Sequence, residues 1–100
     1  MAKVYIEDLW IDEVNEAKMN SHGIGATEAL SVLDLDRFEV FANPSKDPDA
    51  APLVIVGPSS VRPFVTMPID ETPLDGVYRP RTAFKSGSQQ INEYRRRRPE

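Results

Sequence analysis

Hydrophobic and polar positions alternate at the start of the chain. In "KVYIEDLW" Val4, Ile6 and Leu9 fall on one side and Lys3, Tyr5 and Glu7 on the other, which predicts a first strand. The next segment, "DEVNEAKMNS" from Asp12 to Ser21, has no glycine, proline or β-branched run; Asp12 is placed to cap a short surface helix with a thin stripe at Val14, Ala17 and Ser21. "HGIG" interrupts it. Gly23 suits the left-handed position after a helix and Gly25 a following N-cap, so a second helix is predicted from about Ala26 to Leu33 with Ala26, Ala29, Leu30 and Leu33 buried.

Four strand-like runs follow: "RFEVFA" from Arg37, "LVIV" from Leu53, "PFVTMPI" from Pro63 and "GVYRPR" from Gly76. Between them "NPSKDPDAAP", "GPSS" and "DETPLDG" are dense in turn formers, which suggests antiparallel hairpins. Pro80 lacks an amide donor and assigns its part of the last strand to an edge. "SGSQQINEYRRRR", Ser86 to Arg98, predicts a polar terminal helix anchored by Ile91 and Tyr94 and frayed at its arginine end. The order implies an α+β domain: a strand, two short helices, a three- to four-stranded antiparallel sheet and a C-terminal helix. The two helices would cover one face of the sheet and leave the other free.

One hundred residues suit a single domain over 1–100, with 95–100 as a basic tail. No apolar run is long enough to span a membrane and the first ten residues do not read as a signal peptide, so the expectation is a soluble cytoplasmic protein. With no cysteine, one histidine and no loop of regularly spaced acids, neither a metal nor a cofactor is expected. The net charge of −4 is unevenly spread. Residues 1–60 hold four Lys or Arg against eleven acids, and residues 61–100 hold eight against five, so basic and acidic faces can address separate partners.

"NEAKMNSHGIGATEALSVL", "LVIVGPSSVRPFVTMPID" and "GVYRPRTAF", followed by a tyrosine-containing helix, together resemble the BrnT family of bacterial toxins over about residues 10 to 95. The positions that match are His22, Gly23, Ile24, Glu28, Ala29, Gly57, Arg62 and Arg81. The resemblance implies a RelE-like fold and a ribonuclease that halts translation. It also implies a cognate antitoxin, a DNA-binding protein that neutralises the toxin and assembles with it. The sequence departs from the pattern in three places: Trp10 and Asp12 do not share the register of the family's Trp-Asp opening, Ser21 replaces a basic residue, and "APLV" replaces a Glu-Arg pair.

Metal-free RNA cleavage needs a base for the 2′-hydroxyl, a cation for the phosphorane and an acid for the leaving oxygen. Arginine suits the second task, because its planar fork binds two phosphate oxygens and stays charged. Arg62 and Arg81 are the first candidates, with Lys18 or His22 for proton transfer or phosphate contact. Arg79 shares a strand face with Arg81; with Tyr78, Arg95 and Arg96 it makes up the expected RNA-binding set, and Phe84 and Tyr94 are further stacking candidates. Each has an ordinary alternative. His22 can cap a helix, Glu28 can serve a helix start, Arg62, Arg79 and Arg81 can be plain strand charges, Arg95 to Arg98 a solvated tail, and the aromatics core. Two functions remain: a ribonuclease toxin, and a relative that lost its basic set and serves as a protein-binding module or corepressor.

Overall fold

The computed structural model describes residues 4–99. The chain is α+β, with three helices and a six-stranded mixed sheet. The elements are β1 (Asp8–Leu9), α1 (Glu13–Ser21), α2 (Ala26–Leu35), β2 (Glu39–Ala42), β3 (Leu53–Gly57), β4 (Val65–Glu71), β5 (Val77–Pro80), β6 (Phe84–Lys85) and α3 (Ser88–Arg97). The sheet order is β1-β5-β4-β3-β2, with β6 pairing β4 off that path. From β2 to β5 every pairing is antiparallel, as the turn chemistry predicted.

The sheet is larger than the three or four strands expected. Phe84 and Lys85 form a short ladder with Thr66 and Val65, in a segment whose sequence carries no strand pattern. The first strand is shorter than expected and parallel to β5. The amides of Glu7 and Asp8 both donate to the Gly76 carbonyl, so regular pairing is confined to Asp8 and Leu9. Its apolar positions nonetheless report burial, since Val4 and Ile6 pack in or against the core as alternation predicts and Leu9 joins them out of that alternation. Lys3, placed on the opposite side of that strand, lies outside the described residues.

One layer of the core lies between the sheet and the helix pair. Met19, Ile24, Ala29 and Val32 meet Ile55, Val65, Met67 and Ile69, all in one buried cluster. The stripe predicted for α1 is not the one buried. Val14 is 65% exposed, whereas Asn15 and Met19 are fully enclosed, because the polar Asn15 turns inward to satisfy carbonyls. On α2 the inward face is Glu28, Ala29 and Val32, with Leu30 exposed and the helix running on to Leu35. Asp36 then ends it in the left-handed conformation, φ 52°.

The opposite sheet face is not left free. The ladder alternation puts Phe41, Val54, Val56, Thr66 and Pro68 there, and α3 crosses it. A groove of about 370 Å³ remains between that helix and the sheet. α3 begins at Ser88, not Ser86, since the Ser86 hydroxyl is buried against Thr66 Oγ1 at 2.6 Å and Gly87 becomes the N-cap. Ile91 and Tyr94 are both half-buried anchors. The arginine end is attached: Arg97 donates to the Val40 carbonyl at 2.6 Å and lies 4.1 Å over the Phe41 ring, and Arg98 pairs with Glu39 at 2.7 Å. These contacts cap a carbonyl of β2, the outer strand of the sheet path.

Candidate functional site

The turn between α1 and α2 is built by three backbone bonds onto the end of α1. The amides of His22 and Ile24 both donate to the Met19 carbonyl at 3.0 Å, and Gly23 donates to Asn20 at 2.9 Å. Gly23 takes φ +80°, a conformation a Cβ would strain, and Gly25 is the extended N-cap of α2. His22 is therefore the C-cap, as its helix-ending reading required, and Ile24 is driven into the core between the helices. The imidazole is exposed and meets the Phe84 ring edge-on, centroids 6.1 Å apart. Lys18 stands one turn earlier on α1, also exposed.

Arg62 joins this neighbourhood from the β3–β4 connection. Its Nε donates to Glu28 Oε2 at 2.6 Å, and its Nη2 donates to Glu28 Oε1 at 3.1 Å and to the Gly23 carbonyl at 3.3 Å. Ser59 Oγ donates to the same Glu28 oxygen at 2.7 Å and accepts the amides of Val61 and Arg62. Glu28, with its side chain 8% exposed, is thus a helix-start carboxylate enclosed by donors. Among the described residues, Nη1 of Arg62 makes no hydrogen bond, and the side chain is 27% exposed.

Arg81 is elsewhere. It closes a bidentate pair on Asp70, Nε to Oδ2 at 2.7 Å and Nη2 to Oδ1 at 3.0 Å, and Nη1 donates to the Asp49 carbonyl. The hydrogen bonds it donates to Asp70 hold this guanidinium above its ordinary pKa. Arg62 precedes β4 and Asp70 lies near the other end of that seven-residue strand, so the two arginines are held at opposite ends of it. The expected joint patch of Arg62, Arg79 and Arg81 does not form. Arg79 is likewise engaged, its Nε and Nη2 reaching the two Asp12 oxygens at 3.0 and 3.2 Å. That contact, ahead of the Asn15 amide, lowers the Asp12 pKa.

Of the expected RNA-binding residues, Tyr78 is half-buried and packs against the core cluster. Arg96 makes an exposed 3.5 Å contact with Glu93. Arg95 lies over the face of Phe64, 5.5 Å from its centroid, and Tyr94 meets the same ring edge-on at 5.5 Å. Phe64 and Ser59 were missed in the sequence because turn-forming neighbours hide them. Asn15 carried a legible signal, since it stands three residues after Asp12 in a capping-box arrangement. Among the described residues no cluster of His, Cys, Asp or Glu is arranged to hold a metal ion, and no described helix is long and apolar enough to cross a membrane.

No family model, curated protein or solved structure matches this chain.

Proposed function

We propose that the chain is a toxin of the type II toxin–antitoxin kind, a metal-independent ribonuclease whose reacting groups gather at the α1–α2 turn. The observation that carries this reading is the hydrogen bond from Arg62 to Gly23, 39 residues apart in sequence. It brings the Arg62 guanidinium to the backbone of the residue after His22, and Lys18 stands one helical turn before His22, so three of the four candidate residues lie around one turn. Imidazole and ammonium groups are suited to proton transfer, and the Nη1 of Arg62, which makes no hydrogen bond among the described residues, to a phosphate oxygen. In such a cleavage the 2′-oxygen loses its proton to a base and bonds to phosphorus, the bond to the 5′-oxygen breaks, and an acid protonates that oxygen. His22 and Lys18 divide the two proton transfers, while Arg62 meets the charge on the phosphorane. Arg81 has no part at this site. The reading brings with it a cytoplasmic RNA substrate and a neutralising antitoxin, both of which rest on the BrnT resemblance.

A second reading, a protein-binding module or corepressor without catalysis, is favoured by a different observation. Arg62, Arg79 and Arg81 each face a carboxylate bidentately, which cancels much of the positive field a polyanion needs.

Growth and bulk translation of a bacterial culture after induction of the protein decide between them. The comparison is a Lys18→Ala, His22→Ala double variant, whose altered side chains are exposed and make no hydrogen bond or ion pair among the described residues. Arrest by the wild type and not by the variant supports the ribonuclease. Absence of arrest by folded wild-type protein leaves the binding module.

A further inference from the structure

The geometry points to a second anion site, a cleft of about 470 Å³ on the α3 side of the β3–β4 connection, that takes a phosphate and an adjoining base of single-stranded RNA. Its walls include Arg37, Phe64, Tyr94, Arg95 and Arg98. Arg95 is the centre of the argument. The other arginines at this end of α3 all meet carboxylates, Arg96 at Glu93 and both Arg97 and Arg98 at Glu39. Arg95 meets none among the described residues and makes no hydrogen bond there; an aromatic ring holds it instead. A guanidinium stacked on a ring keeps its donors available and loses less freedom on binding than a waving side chain. Such a fork recognises a planar pair of oxygens, on a phosphate or on a carboxylate.

Two features favour phosphate on a nucleic-acid strand over an acidic peptide. The cleft sets ring and proline surfaces, Phe64, Tyr94 and Pro63 among them, beside the guanidiniums, and a base needs such apolar surface next to its phosphate. Its volume lies in the range of small-ligand sites, roughly 300–1,000 Å³. The second feature is continuity. Arg62 and Phe64 are two residues apart on one connection, with Arg62 turned to the α1–α2 turn and Phe64 to α3. A strand crossing that connection passes from the proposed cleavage groups into the cleft. The choice of RNA rests on the ribonuclease reading; the anion site itself does not.

The test is binding of a short, labelled, single-stranded 2′-O-methyl oligoribonucleotide, which lacks the hydroxyl needed for cleavage, measured by fluorescence anisotropy over a range of salt. Arg95→Ala is expected to weaken binding about tenfold and to lower the salt slope by about one, while Arg95→Lys keeps the slope and loses part of the affinity. Lys46→Ala, which removes one exposed cation of the β2–β3 connection outside the cleft, is expected to bind as the wild type does. If Arg95→Ala weakens binding as expected yet wild-type protein causes no growth arrest, the cleft stands and the ribonuclease reading falls. The cleft proposal is overturned if wild type does not bind the oligonucleotide, if Arg95→Ala binds equally well, or if polyglutamate displaces the probe at matched charge.

Discussion

Arg62 and Glu28 form a two-point ion pair that ties the β3–β4 connection to the first turn of α2, with the carboxylate nearly enclosed and the guanidinium 27% exposed. Removing one partner strands the other. Arg62→Ala leaves the Glu28 carboxylate with Ser59 alone, a loss of about 2 kcal/mol, below the value for a fully buried pair because one side is wet. Glu28→Gln should cost less, since an amide keeps a neutral acceptor for the guanidinium. Urea denaturation of both variants checks the order. An arrest phenotype lost in Arg62→Ala would accordingly report stability as well as chemistry, so Lys18 and His22 are the cleaner functional probes.

Gly57 closes β3 directly against Phe38. A Cβ at this glycine would stand 2.7 Å from the Phe38 Cα and 2.8 Å from its Cβ, and backbone cannot step aside as a flexible side chain can. Gly57→Ala is expected to destabilise by about 2 kcal/mol through overpacking. The thermal midpoint should fall by roughly 8–16 °C for a domain of this size. A midpoint within a degree or two of wild type would show that the strand end yields more easily than its contacts suggest.

Asn15 is a buried amide whose Nδ2 donates to the carbonyls of Trp10 and Pro80, both at 2.9 Å, while its Oδ1 accepts the Asp12 amide at 2.8 Å. It therefore joins the α1 start to the end of β5. Asn15→Asp turns a donor into a carboxylate oxygen facing two carbonyls, and Asn15→Leu leaves those carbonyls unpaired. Each should cost about 2–3 kcal/mol, with the aspartate variant recovering part of its loss at acid pH, where the protonated carboxyl can donate. Denaturant midpoints at neutral and acid pH separate the two variants.

The sequence was most legible where local chemistry decides the outcome. Asp12 caps α1, Gly23 and Gly25 punctuate the helix pair, and the turn-rich segments space β2 to β5, all as side-chain and φ/ψ preferences dictate. It was least legible where a long-range partner decides. Val14 reads as part of the helix's apolar stripe, yet it is Asn15 that turns inward, drawn by the nearby Trp10 carbonyl and by that of Pro80, 65 residues away. The β6 ladder has no alternation to find, because two residues suffice for it. For the candidate site, residue types singled out Lys18, His22, Arg62 and Arg81 alike, but not that Arg62 would reach the α1–α2 turn while Arg81 would be held at Asp70. Which carboxylate claims each arginine depends on register: Asp70 faces Arg79 in the ladder, yet it is Arg81, two residues on, that binds it.

Asp12 and Arg79 connect the α1 cap to β5 and give the fold a pH-dependent seam. Asp12 Oδ1 accepts the amides of Val14 and Asn15 while both carboxylate oxygens accept from Arg79, and these donors favour the charged form. Its folded pKa is thereby lowered, with the Arg79 hydrogen bond the largest cause. A carboxyl group depressed on folding adds stability that is fully present above its unfolded value, about 3.9, and is lost as pH falls through the folded value. Arg79→Met removes that main cause, so the variant should be less stable than wild type near neutrality and the gap should narrow as pH drops below about 4. Asp12→Asn provides the complement: asparagine still caps a helix but cannot titrate, so its stability should fall less steeply over the same acid range. Urea midpoints for the three proteins at several pH values give the comparison. A wild-type-to-Arg79→Met gap that stays constant down through the acid limb would show that this ion pair does not couple Asp12 ionisation to folding.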